Sequence, residues 1–355
     1  MHHCLRFWFI NTVVIVYRCL YNYDNWNCFF FVGFILDDNL DKHHAPWRIQ
    51  SQKNIGSLSP EIYDSRLLDS IKPYQPRRLF LSACDFKFFE KHVQNLISYE
   101  TSGSEIIYVL GVFSPKDEVK LVADRLYKFR LQNGLKKFIP FVYGNSSLEW
   151  VLRQQNSTEI QWDYMINYIR SSRYNLVKKV WNALGITINA DSNFQDSSTF
   201  VIDFDNEVRQ DLNNIIKKEY PSQSLIFSWD SSSSPSPNFT NTLSSCTFQT
   251  NSMAVNHPYK VVKAGFTAIT PSAVGNVFLT LFEAYSIGDD RSFFFTRLFY
   301  FYYCDQVSIL LAIRDIYTHE KYRQQVSWLD VYTSSIVNLS SSLARYMWCP
   351  KGKTI

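Results

Sequence analysis

The chain has 355 residues, 46% of them hydrophobic and 19% charged, with a net charge of +4. At about 150 residues per domain this length allows one large domain or two, and the apolar content supplies a buried core. The small charge, carried by scattered rather than blocked basic residues, gives no footing for a nucleic-acid protein, and seven widely spaced cysteines without a Cys-x-x-Cys argue against a disulfide framework or structural zinc and for a reducing compartment.

Residues 1–40 differ from the rest. Leu5 to Tyr17 is apolar and aromatic but interrupted by Arg6 and Asn11, and Cys28 to Leu36 is a second apolar run. Neither approaches the ~20 residues of a membrane-spanning helix. A basic start with a small-residue cleavage site, the mark of a signal peptide, is not clear. Residues 5–36 are therefore expected to give at most weak membrane association, and the chain is read as cytoplasmic or membrane-associated. From Asp37 to about Pro76 the composition turns polar, as in a linker or wrapping segment. Residues 1–77 thus read as an ill-defined extension and linker, and residues 78–355 as the folded domain.

Leu79 to Ala83 is a strand, with Cys84-Asp85 as the turn after it. Phe86 to Tyr99 has helical periodicity through Phe88, Phe89, Val93, Leu96 and Ile97. Ile106 to Val112 is a second strand, Asp117 to Leu131 a second helix, and Phe138 to Tyr143 a third strand. Strands alternating with helices across short loops predict a parallel sheet covered by helices. No Gly-x-Gly-x-x-Gly follows the first strand and no Walker A lysine loop appears, which argues against the usual dinucleotide and P-loop folds. A long helix then runs roughly from Gln161 to Leu184 and is ended by Gly185. Arg173 lies within it and, taken alone, reads as an exposed helix charge.

The next strand carries the strongest chemical signal. Thr199-Phe200-Val201-Ile202 runs straight into Asp203-Phe204-Asp205. Two carboxylates one residue apart repel each other and resist desolvation, so such a pair rarely serves stability. A bound divalent cation removes both objections, and oxygen donors suit Mg²⁺ or Mn²⁺. The plainer alternative is that the pair begins a turn and caps the following helix.

Downstream, a helix is expected over Asn206 to Tyr220. Ser222 to Ser245 is rich in Ser, Pro and Asn, with a surface loop at 231–237. Tyr259 to Ile269 reads as a strand in which Gly265 marks a close approach of backbone to a ligand or another strand. Pro271 to Tyr285 is a helix, followed by the turn Ser286-Ile287-Gly288-Asp289-Asp290. A strongly aromatic stretch then contains Asp305-Gln306 ahead of the helical stripe Ile309, Leu310 and Ile313. By itself Asp305 reads equally well as a helix cap, and the tail with Lys351 and Lys353 as a solvated terminus.

Taken in order, a first strand ending in Ser-Ala-x-Asp, an aromatic-bearing helix, a long helix carrying Arg-Tyr and a strand ending in Asp-x-Asp resemble the GT-A glycosyltransferases. They especially resemble the nucleotide-diphospho-sugar transferases of the glycogenin and galactosyltransferase-like group. The resemblance implies an α/β, Rossmann-like, mostly parallel sheet flanked by helices in a single large domain. It also implies that Ala83, Asp85 and Phe88 hold the nucleobase and ribose, that Arg173 lies near the donor phosphates, and that Asp203 and Asp205 coordinate Mn²⁺ or Mg²⁺ bridging the diphosphate. Gly265 would lie near the bound sugar, and Asp305 and Gln306 would contact acceptor or donor sugar. Lys351 and Lys353 would fold over the diphosphate. The tail lacks the histidine that supplies a third metal ligand in better-known members, which leaves that ligand unassigned.

The implied activity is metal-dependent transfer of a sugar from a nucleotide-diphosphate donor to a glycan, lipid or protein acceptor. Two rivals stand beside it. A haloacid-dehalogenase-like phosphatase is suggested by Asp203-x-Asp205 with the later Gly288-Asp289-Asp290, although Glu207 stands where that family has Thr or Val. The other is a non-catalytic glycan- or partner-binding module with the same fold.

Overall fold

A computed structural model describes residues 4–10, 13–22, 25–31, 59–64, 66, 78–101, 106–154, 158–189, 191–194, 196–230, 261–286 and 305–349. The chain divides into two compact units, Met1–Gln50 and Ser51–Ile355. In the first, strands β1 (Cys4–Ile10), β2 (Val13–Asn22) and β3 (Asn25–Phe31) form an antiparallel meander. The described residues of the two apolar runs near the N-terminus therefore lie in strands, for which their β-branched and aromatic residues are suited.

The second unit is built on an eight-stranded sheet. Strand β4 (Glu61–Asp64) pairs antiparallel with β7 (Phe138–Gly144), which continues in parallel to β6 (Ile107–Phe113), β5 (Arg78–Asp85) and β8 (Ser198–Ile202). Beyond β8, strand β11 (Val261–Ile269) runs antiparallel to both of its neighbours, and β10 (Leu225–Asp230) pairs in parallel with β12 (Val326–Asp330). Only β4 and β11 oppose the common direction, so the Rossmann-like, mostly parallel, helix-flanked sheet expected from sequence is present. The sheet begins upstream of Arg78, where the folded part was expected to start, because β4 comes from the segment read as linker or wrapping chain.

Side chains alternate across the sheet and build a core on each face. Leu79 and Leu81 point into one core together with Leu176, Val177 and Trp181 of the long helix, whereas Phe80 points into the other with Phe200 and Ile202. On the second face lie α1 (Phe86–His92), α2 (Gln94–Thr101) and α3 (Val119–Gln132); α4 (Ser146–Gln154) follows β7. The long helix α5 (Thr158–Ala183) covers the first face. Trp181 Nε1 donates to Thr199 Oγ1 at 2.7 Å, so burying the indole leaves no orphan donor. Gly185 ends α5 with φ of 69°, in the left-handed region that glycine adopts without penalty, as its position in the sequence predicted.

The helix expected from Asn206 to Tyr220 is shorter. Asn206 turns, Glu207–Val208 forms β9, and α6 (Leu212–Glu219) starts only after Asp211, whose carboxylate accepts the backbone N–H groups of Asn213 and Asn214. A cap at Asp211 outcompetes continuation from Asn206. Strand β10 falls inside the Ser/Pro/Asn-rich stretch, where Leu225-Ile226-Phe227 alone is too short to stand out from the polar background. Helices α7 (Ala273–Ser286), α8 (Asp305–Tyr317) and α9 (Glu320–Arg323) complete the helical cover. Strands β13 (Val337–Asn338) and β14 (Met347–Trp348) form a small sheet with β9.

Candidate functional site

From β5 the chain steps to β6 and β7 on one side, then returns to place β8 on the other side of β5. Ligands of open α/β sheets bind at such a reversal, outside the carboxyl ends of the strands. Asp85 ends β5 there, and Asp203-Phe204-Asp205 leaves β8 there.

The turn after β8 is set by its middle residue. Phe204 is buried and lies over Phe89 with ring centroids 6.1 Å apart, while the aspartates on either side stay partly exposed. Alternation of side chains thus sends the aromatic ring inward and leaves both carboxylates out of the core. Ser82 Oγ donates to the Ile202 carbonyl at 2.6 Å and accepts from the Tyr108 hydroxyl at 2.8 Å, which ties the strand exit to β5 and β6. Burial and the charge of Asp203 push the Asp205 carboxyl up to about 6.

Arg173, expected by itself to be an exposed helix charge, is 4% exposed. Its Nη1 donates to Asp203 Oδ1 and its Nη2 donates to Asp305 Oδ2 at 2.7 Å. Burial opposes the guanidinium charge, but the Asp203 carboxylate, with Tyr174 and Asp305, outweighs it and raises the pKa above the ordinary arginine value. Arg173 Nε is buried without a hydrogen-bond partner. Asp305 opens α8 and divides its oxygens, Oδ1 accepting the Gln306 N–H at 2.8 Å and Oδ2 accepting Arg173. Asp305 is thus held at the start of α8 while it pairs with Arg173.

Gly265 on β11 reaches the same place. Its carbonyl accepts the Asp203 N–H at 3.2 Å, and a Cβ there would stand 3.0 Å from Asp203 Oδ2. Asp203, Arg173, Asp305 and Gly265, from four separate elements, thus meet at one point. On the β5 side, Ala83 pairs with Gly111, and Asp85 Oδ1 accepts the Phe88 N–H at 2.8 Å as the cap of α1. The Phe88 ring sits 4.3 Å from His92 and 6.4 Å from Phe204. Lys351, Lys353 and the Gly288-Asp289-Asp290 motif lie outside the described residues.

Among the described residues, no three His, Cys, Asp or Glu side chains gather as a metal cage would. Cys349 is buried nearby, but burial and the charges of Asp203 and Asp205 push its thiol up and keep it neutral. The pair Asp203 and Asp205 supplies hard oxygen donors that could hold Mg²⁺ or Mn²⁺, an arrangement in which substrate phosphates and water complete the coordination. Sequence reasoning missed Asn95, Tyr99, Tyr108 and Asn206, which fix this turn, and noted Ser82 only as part of the Ser-Ala-x-Asp motif. They are ordinary polar residues distinguished only by where the fold places them.

No protein-family profile matches the chain, and no curated protein does. Solved structures of glycosyltransferases are among those it resembles. The apo form of the bifunctional enzyme WbbM gives a TM-score of 0.37 at 9% identity, over 72% of this chain and 38% of that one. GlyE of Streptococcus pneumoniae gives 0.30 at 11% identity, over 72% of this chain and 45% of that one. An active-site mutant of LgtC gives 0.35 at 13% identity, over 70% and 72%. The chain spans less than half the length of WbbM and GlyE. At such TM-scores the likeness bears no weight for the site, which stands on the chain's own geometry. No described helix is long and apolar enough to cross a membrane.

Proposed function

We propose that this chain is a metal-dependent glycosyltransferase that moves a sugar from a nucleotide-diphosphate donor to an acceptor hydroxyl on a glycan, lipid or protein. The observation that carries this reading is the meeting of Asp203, Arg173, Asp305 and Gly265 at the sheet's switch point, beside Asp205. A divalent ion bound there supplies positive charge to a departing diphosphate. Asp203 and Asp205 hold that ion through oxygen donors, and the missing side chain of Gly265 leaves space beside Asp203 Oδ2. The unpartnered Arg173 Nε provides a buried, charged donor suited to an anionic ligand. Because Arg173 is fixed by two carboxylates, its charge is already oriented when the donor arrives, which is the condition for electrostatic stabilisation of a leaving group.

In this reading Ala83, Asp85 and Phe88 flank the nucleoside, with Asp85 acting chiefly as the cap that orients α1. Asp305 and Gln306 open α8 toward the sugar, and Lys351 and Lys353 add positive potential over the diphosphate. The phosphatase alternative has no observation in its favour.

Two measurements test the proposal. Nucleoside diphosphates should raise the melting temperature only when Mn²⁺ or Mg²⁺ is present, as ligands of the native state do. Hydrolysis of a nucleotide sugar in Mn²⁺ should be lost in Asp205→Ala. Metal-independent stabilisation would remove the metal from the reading. Stabilisation without any turnover or hydrolysis would favour the binding module, and turnover of a phosphate monoester without a sugar donor would favour the phosphatase.

A further inference from the structure

We infer that Asn206 and Tyr99 are positioning residues that hold the Asp203–Asp205 turn in the geometry needed to receive a cation; this rests on the two-carboxylate site proposed above. Asn206 is 1% exposed, and its backbone N–H, its carbonyl and its side-chain amide nitrogen are all engaged around that turn. Its N–H donates to the Asp203 carbonyl at 3.1 Å and closes the turn. Its Nδ2 donates at 2.7 Å to the Gly265 carbonyl, the acceptor that also takes the Asp203 N–H. Its own carbonyl accepts the hydroxyl of the buried Tyr99 at 3.1 Å. A weaker contact at 3.9 Å joins Nδ2 to Met347 Sδ on β14.

Asn95 Nδ2 adds a bond at 3.4 Å to the Phe204 carbonyl from the same helix as Tyr99. The two-carboxylate turn is thereby bound to α2 and β11 through backbone carbonyls and to β14 through the Met347 sulfur, and none of these bonds uses a carboxylate oxygen. Such an arrangement fixes where the carboxylates stand without itself occupying their oxygens, of which Asp203 Oδ1 is taken by Arg173. A turn carrying two like charges otherwise relaxes by moving them apart, and the separation of the oxygens is what a shared ion reads. Asn206 counters that relaxation because it bonds the turn to itself and to the sheet at once.

The test uses the full chain and titrates Mn²⁺ by loss of the free-ion electron paramagnetic resonance signal, with unliganded melting temperature as a second readout. Tyr99→Phe removes one hydroxyl and keeps the ring that packs against Phe80 and Tyr108. Both Tyr99→Phe and Asn206→Ala are expected to weaken Mn²⁺ binding about tenfold, the size seen when groups supporting metal ligands are lost. Asn206→Asp retains the shape and the backbone bonds but replaces the amide donor to Gly265, so it should weaken binding as Asn206→Ala does.

If the wild-type chain itself binds no Mn²⁺, the two-carboxylate site is wrong and this inference falls with it. Wild-type binding with unchanged affinity in folded Tyr99→Phe overturns the positioning role alone, whatever the melting temperature of Asn206→Ala.

Discussion

Removing Arg173 would leave the Asp305 carboxylate, whose side chain is 11% exposed, without its ion partner. Breaking a buried pair from one side costs several kcal/mol, because the remaining charge loses both water and partner. Arg173→Met is therefore expected to lower stability to urea by about 3 kcal/mol, the low end of that range, since the Asp203 side chain is 44% exposed and recovers water. Asp205 presents the opposite case. Its carboxyl is pushed up to about 6 by burial and by Asp203, so its charge is one the fold tolerates poorly. Asp205→Asn should raise unfolding stability at neutral pH by on the order of 1 kcal/mol, discounted for solvent at the turn. The same variant should abolish metal-dependent stabilisation by nucleoside diphosphates. A gain of stability with loss of ligand response is the pattern of a site maintained against the interest of the fold.

Two elements lend themselves to sharper tests. Strand β11 meets the turn through Gly265, where a methyl group would press on Asp203 Oδ2 at 3.0 Å. Gly265→Ala should displace that carboxylate by a few tenths of an ångström and reduce nucleotide-sugar hydrolysis about tenfold, while the melting temperature changes little. Helix α1 carries His92, 4.3 Å from Phe88, and burial together with the Lys91 charge lowers its pKa from 6.5. A histidine whose folded pKa is depressed contributes stability above its unfolded pKa and loses it as pH falls through the folded value. Between about pH 8 and pH 5, His92→Gln should flatten the acidic limb of the stability curve, as read by chemical denaturation. A variant curve parallel to wild type would show that His92 plays no part in it. The elements themselves were legible where periodicity was long. The strand–helix alternation from Leu79 to Tyr143 and the stripe of α5 stand, except that the one helix read over Phe86 to Tyr99 is two, broken at Val93, whereas β10 and α6 were obscured by a polar background and by an internal cap at Asp211.

At the scale of the whole molecule, every strand of the eight-stranded sheet comes from Glu61 onward, inside the unit that starts at Ser51. A chain beginning at Ser51 is expected to melt in a single cooperative transition and to keep the metal-dependent response to nucleoside diphosphates. A broad transition in calorimetry would show that residues 1–50 are needed for the fold. The sheet's two faces are each closed by their own core, which is why a mostly parallel sheet with no solvent face is stable here.

Local pattern by itself determined the α/β class, the parallel strands and the pair Asp203–Asp205, because hydrophobic period and adjacent like charges are properties of a short stretch. The burial of Arg173 between Asp203 and Asp305, the approach of Gly265 and the bonds of Asn206 and Tyr99 were decided only by tertiary structure. Those contacts join residues 30 to 132 positions apart. No local rule reaches across such separations, and a buried guanidinium looks like a surface one until the carboxylates that hold it are brought from the end of one strand and the start of a distant helix.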